Sequence, residues 1–176
     1  DTDPDLVFSL HLDNNSALGE NDTHFVDSSR YQNNGTGSGF DGDEITTGKH
    51  SKGVDFDGTN DMIDFDSPTE LQLTGSMTLS AWVNLDADES FGLVSYDNVG
   101  GTRGYGLTPG TDGTSNKFRL SLGATGNTLI KRYSTTTVAS AVGSWHHIVG
   151  VYDANAQTMD IYFDGILDNG VLQGAI

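Results

Sequence analysis

The chain has 176 residues, no cysteine and a formal net charge of −17, with 25 Asp and Glu against eight Lys and Arg. Disulfide staples and thiolate chemistry are therefore excluded, and a nucleic-acid partner is disfavoured because phosphate binding needs a basic face that releases counterions. No stretch reaches the roughly 20 apolar residues of a membrane span, so membrane insertion is not expected, and the length suits one domain with a sizeable core.

In chain order, Leu6, Phe8, Leu10 and Leu12 place apolar residues at a period of two, which predicts a half-buried strand. Asp13 to Tyr31 is polar and turn-rich, and Asn33 to Gly39 carries too much glycine for a helix. Lys52 to Asp57 and Met62 to Phe65 flank Gly58-Thr59-Asn60 and read as a hairpin. Ser76 to Leu85 is the clearest strand, with Met77, Leu79, Ala81, Val83 and Leu85 on one face. Short strands follow over 91–96, 104–108, 117–122, 128–133, 145–152 and 158–163. Asp153 to Ala156 and Asp164-Gly165 form the last tight turns. No window has helical periodicity with caps, so the fold class is all-β, an antiparallel β-sandwich.

Three segments carry a family resemblance. Gly53 to Asp64, with Asp57-Gly58 at its centre, resembles a hairpin of laminin-G-like jelly rolls of the concanavalin-A-like lectin kind. Leu73-Thr74-Gly75 to Ser80-Ala81-Trp82-Val83 is similar to their "SAWV" strand. Ser144-Trp145-His146-His147 to Tyr152-Asp153, followed by Ile161-Tyr162-Phe163-Asp164-Gly165, is similar to their "WHH … YD … DG" pair. Leu12-Asp13 and Asp27-Ser28-Ser29 resemble the family's opening, so the likeness runs over nearly the whole chain as one laminin-G-like domain, 1–176. Family members continue past the last "DG" into a closing segment that has no counterpart before Ala175-Ile176. The resemblance thus implies a concanavalin-A-like jelly roll lacking its last strands. Three readings stand: a fragment of a longer protein, completion by strands of a partner chain, or a shorter closure.

The resemblance also implies a structural Ca²⁺ at the ends of the early strands. Its expected ligands are Asp13, Asp27 and Asp57, with Asn14 and Asn34 beside them, since calcium takes six to eight oxygens from carboxylates, amides and carbonyls. Asp41-Gly42-Asp43 imitates part of an EF-hand loop but lacks its remaining pattern, and that motif is set aside. Glucanases on this fold use a Glu-x-Asp-x-Glu strand, which the chain does not contain, so no enzymatic activity is expected. His146 and His147 are adjacent on a strand and point to opposite faces, unsuited to sharing one zinc. Trp82 and Trp145 are expected as packing residues.

For recognition, an aromatic surface with amide, carboxylate and guanidinium partners suits a sugar. Tyr96, Asp97, Asn98, Arg103 and Tyr105 supply that combination in one loop. The expected function is an extracellular module, secreted or at the cell surface, that binds a glycan or glycoprotein. The alternative is a structural surface protein or filament subunit that self-assembles through an open sheet edge.

Overall fold

A computed structural model describes residues 3–89, 92–96, 104–124 and 128–176. Antiparallel strands and three short 3-10 turns (Ser16–Leu18, Thr69–Leu71, Val138–Ala141) make up its regular structure, with no α-helix among the described residues. The chain divides into two compact units, Asp1–Gln72 and Leu73–Ile176.

In the first unit β1 (His24–Phe25), β2 (Gly35–Ser38) and β5 (Met62–Asp64) form one sheet in the order β1-β2-β5. A second, two-stranded sheet pairs β3 (Ile45–Thr47) with β4 (Lys52–Val54). The glycines of β2 explain a strand that propensity argues against: a Cβ on Gly35 would lie 2.3 Å from the Phe65 ring, and one on Gly37 2.7 Å from Phe40. Aromatic rings take the space that side chains would fill. Those rings pack edge to face, Phe8 on Phe65 with centroids 4.7 Å apart and Phe25 on Phe40 at 5.8 Å.

Two expectations need correction in this unit. The alternating run Leu6 to Leu12 makes only an isolated bridge, Leu10 to Asp27, because Ser9 N–H donates to the Asp27 carboxylate and Leu12 leaves extended backbone at φ +56°. The segments around 52–57 and 62–65 do not pair with each other. β4 pairs with β3 and β5 with β2, since the Asp57 carboxylate gathers Thr59 N–H and Asn60 N–H into a loop wider than a two-residue turn.

The second unit is a two-sheet sandwich. Its strands are β6 (Met77–Asn84), β7 (Val94–Tyr96), β8 (Tyr105–Thr111), β9 (Asn116–Ala124), β10 (Thr128–Thr137), β11 (Trp145–Asp153), β12 (Thr158–Phe163), β13 (Ile166–Leu167) and β14 (Asn169–Gln173). One sheet runs β14-β10-β9-β8-β7 and the other β13-β12-β11-β6. Alternation decides what enters the core: Leu79 and Val83 of β6, Leu107 of β8, Phe118 and Leu120 of β9, Ile148 of β11, and Met159 and Ile161 of β12 are all buried together. Gly150 keeps the sheets close, as a Cβ there would lie 3.0 Å from Leu120. Arg132 of β10 also turns inward. Its Nε donates to Met159 O at 2.8 Å and its Nη1 to Gly170 O at 3.0 Å, tying β10 to β12 across the sandwich and to β14 beside it.

Turn chemistry sets the registers. Asp164 at φ +50° and Gly165 at φ +79° give β12 and β13 the primed two-residue turn that matches strand twist. Asp112 accepts from Thr114 N–H and Ser115 N–H to turn β8 into β9. Where β10 bulges, the Ser134 hydroxyl replaces a ladder carbonyl and accepts from Phe118 N–H at 3.0 Å.

Candidate functional site

The expected calcium ligands are placed in different chemical settings. Asp27 is 1% exposed, and both its oxygens already accept: Oδ1 from Ser9 N–H and Ser29 N–H, Oδ2 from the Ser29 hydroxyl and Asn33 N–H. Its own N–H donates to Asn34 Oδ1 at 3.0 Å, so Asp27 and Asn34 meet each other and form a loop hub. The exposed Asp57 carboxyl is held below its ordinary range, chiefly by Thr59 N–H. Asp13 differs, because its Oδ1 is buried and has no hydrogen-bond partner. Asn14 donates to Asp22 Oδ1 at 3.1 Å. Asp13, Asp27 and Asp57 do not converge as one carboxylate group; among the described residues the group that does is Asp41, Asp43 and Glu44, with oxygens within 4.8 Å of one another.

This acidic group could hold a metal ion. Glu44 is buried and anchors the loop, accepting from Asp41 N–H and, at 3.1 Å, from Gly42 N–H. Asp41 and Asp43 stay exposed, and the Asp41 carboxyl is held above its ordinary range, first by a hydrogen bond with Asp43 and then by that neighbour's negative charge. The EF-hand template hid this group. Its signal was the plain run Asp41-Gly42-Asp43-Glu44, where a glycine at φ +110° folds three carboxylates onto one side.

Of the expected recognition loop, Asp97, Asn98 and Arg103 lie outside the described residues. Tyr96 and Tyr105 stack with centroids 5.6 Å apart. Tyr105 belongs to the sandwich core and Tyr96 packs on it, and burial pushes the Tyr105 phenol up to about 12. An aromatic surface exists elsewhere. On the outer face of the four-stranded sheet, Trp82 of β6 is 43% exposed and stacks on His147 of β11, its register partner, at 5.0 Å and 22°. Ser80 Oγ meets His147 Nε2 at 2.7 Å. Asp164 Oδ1 accepts from His147 N–H at 2.9 Å, and its Oδ2 pairs with His146 Nδ1 at 2.8 Å. His147 thus stands outside beside Trp82, while His146 lies on the other face against Phe163, with ring centroids 4.6 Å apart. Trp82 is more open than a packing role predicts, because its strand position points away from the sandwich core.

A family model described as the concanavalin A-like lectin/glucanases superfamily, laminin G type, matches residues 57–173, well over half of the chain. The chain belongs to that family. Its match spans the strands of the sandwich together with the loop that carries Asp57. No curated protein and no solved structure matches the chain. The superfamily's description covers both lectins and glucanases, so membership establishes a β-sandwich module of that kind and leaves its activity to the residues of the site.

Proposed function

We propose that this laminin-G-like module is a non-catalytic, extracellular binding domain for a glycan or glycoprotein, stabilised by Ca²⁺. The observation that carries the binding role is the open Trp82–His147 surface with Ser80 and Asp164 beside it. A pyranose presents an apolar face to an aromatic ring and hydroxyls to its rim, and this arrangement offers both kinds of partner. The Asp97–Arg103 segment is a second candidate contact. The family's lectin-type membership, the net charge of −17 and the lack of a helix long and apolar enough to cross a membrane among the described residues agree with a role at or beyond the cell surface.

For calcium, Asp41, Asp43 and Glu44 fit best. The mutual repulsion of clustered carboxylates, which holds the Asp41 carboxyl above its ordinary range, is relieved when a cation binds between them. Asp13 also fits, having a buried oxygen without a donor, whereas Asp27 is filled by hydrogen bonds and fits as a loop hub. Ca²⁺ bound at the triad would fix the loop that precedes β3.

The test is binding of neutral oligosaccharides to the purified chain, read by quenching of tryptophan fluorescence. Trp82→Ala should reduce affinity at least tenfold and Arg103→Ala by a smaller factor, with an unchanged melting temperature. Full affinity in W82A removes this site from the reading. Chelation should lower the melting temperature of the parent and leave Asp43→Asn unaffected.

One observation favours a structural role as a second reading. β13 and β14 are outermost in their sheets, and Ile166, Leu167, Val171 and Leu172 are exposed, Ile166 by 73%. Unpaired edges with apolar side chains invite a strand from another chain. Ordered multimers in light scattering would shift the assignment to this reading.

A further inference from the structure

The sequence holds three Asn-x-Ser/Thr patterns, Asn14-Asn15-Ser16, Asn21-Asp22-Thr23 and Asn34-Gly35-Thr36, all in the first unit. Such a pattern is the acceptor for N-linked sugar, which is carried on surface loops. In a chain rich in Asn, Ser and Thr it arises readily by chance, so the pattern alone selects nothing. Geometry separates the three. Attachment to a folded chain needs an exposed bend, an amide nitrogen Nδ2 without an internal partner, and the hydroxyl two residues on turned to that same amide.

Asn21 meets all three conditions. Asn21 N–H donates to His24 O at 3.1 Å and His24 N–H to Asn21 O at 3.2 Å, which closes a tight turn with Asp22 and Thr23 at its tip. Asn21, Asp22 and Thr23 are all exposed. Within the turn, Asn21 Oδ1 accepts from Thr23 N–H at 2.9 Å and from the Thr23 hydroxyl at 3.1 Å. Its Nδ2 has no hydrogen-bond partner among the described residues. Asn14 fails on the nitrogen: it is half-buried, and its Nδ2 donates to Asp22 Oδ1 at 3.1 Å. Asn34 fails on the hydroxyl. Its Oδ1 accepts from Asp27 N–H, while Thr36 lies in the middle strand β2, paired with His24 on one side and Asp64 on the other.

We propose that Asn21 is a covalent attachment site for an N-linked oligosaccharide, donated by a polyprenyl-pyrophosphate-linked sugar and transferred by an oligosaccharyltransferase. In the step, Asn21 Nδ2 attacks the anomeric carbon and a C–N bond forms. The bond from that carbon to the lipid pyrophosphate oxygen breaks, and the pyrophosphate leaves with the electron pair. Nδ2 gives up one proton to a base of the transferase. The two Thr23 donors on Oδ1 stabilise the negative charge that gathers on this oxygen as the proton departs. The product is still an amide, so Oδ1 keeps both bonds and the turn survives the modification. This goes beyond the binding reading and shares with it only the extracellular location: here the chain carries a sugar and does not recognise one.

The test is transfer to the intact, folded chain by a purified single-subunit oligosaccharyltransferase supplied with a polyprenyl-pyrophosphate-linked oligosaccharide. Peptide mass spectrometry locates the label. A tryptic digest is the unfolded reference, since the fragments 1–30 and 31–49 between them carry all three patterns. The digest should be labelled at Asn14, Asn21 and Asn34, and the folded chain at Asn21 alone. Thr23→Ala should abolish that label and Thr23→Ser should restore it, while Asn14→Gln and Asn34→Gln leave it in place. The glycosylated chain should melt with the parent. A folded chain labelled at Asn14 or Asn34 but not Asn21, or Asn21 unlabelled in either the chain or the digest, overturns the proposal. The binding reading is judged separately. Neutral-sugar affinity lost in W82A with no label on Asn21 sinks this inference alone, and a labelled Asn21 with full affinity in W82A sinks only the Trp82 site.

Discussion

Replacing Asp27 with Asn tests whether that carboxylate is a loop hub or a cation ligand. In the parent, four donors converge on it at 2.8–2.9 Å. An amide offers one oxygen and one donor nitrogen. If the nitrogen takes the Oδ2 position, the Ser29 hydroxyl can turn to accept from it, but Asn33 N–H loses its acceptor. If it takes the Oδ1 position, Ser9 N–H and Ser29 N–H both lose theirs. The milder arrangement leaves one buried donor unsatisfied, about 1–3 kcal/mol, and the remaining bonds lose their charge assistance, so the whole cost is about 2–4 kcal/mol. That lowers the melting temperature by roughly 5–15 °C. Differential scanning calorimetry should show the same loss in EDTA and in Ca²⁺, because the bonds exist without metal. A D27N variant that melts with the parent in EDTA and below it only in Ca²⁺ would falsify the hub and make Asp27 a ligand.

Arg132→Met keeps the aliphatic length of the side chain but strips the donors from Met159 O and Gly170 O. The expected loss is about 2–4 kcal/mol, read as a lower urea midpoint; an unchanged midpoint means the tie across the sandwich is idle. Tyr105 carries a pH signature: its folded phenol is pushed up to about 12 by burial, above an unfolded value near 10, so its neutral form belongs to the folded state. Stability is therefore intact below pH 10 and falls as pH rises from there through 12. Ultraviolet titration should show a late phenol that Tyr105→Phe removes; a late limb that is absent, or that Tyr105→Phe leaves unchanged, contradicts its burial.

How much of the fold was legible depends on where each strand's support comes from. β6 advertises itself, since one of its faces is core and the other is not, and period two is visible in its own residues. β2 is invisible by the same measure. Gly-Thr-Gly-Ser has no apolar periodicity, and its strand exists because rings from elsewhere in the first unit lie over its glycines. Leu6 to Leu12 fails in the opposite sense. Its apolar residues do recur at a period of two, yet its Ser9 N–H is drawn to a side chain, and residues 6–10 are all half-buried alike.

The site divides along the same line. Acidic residues can be counted from the sequence, but whether a carboxylate is available to a cation depends on which N–H groups reach it. Asp27 and Asp13 look alike in sequence; one accepts four bonds, the other keeps a buried oxygen without any. Cations show the converse. Eight scattered Lys and Arg in a strongly acidic chain read as minor balancing charges until register is known. Pairing Lys131 with Ser121 and Arg119 with Tyr133 puts cations from two strands into adjacent rows. A one-residue slip of β10 against β9 would turn Lys131 into the core and Arg132 out of it, exchanging the surface donor for the tie across the sandwich. The outward lysine and the inward arginine are thus one register choice. It is fixed by the apolar partners Leu120, Leu122 and Ile130, which place both residues at once.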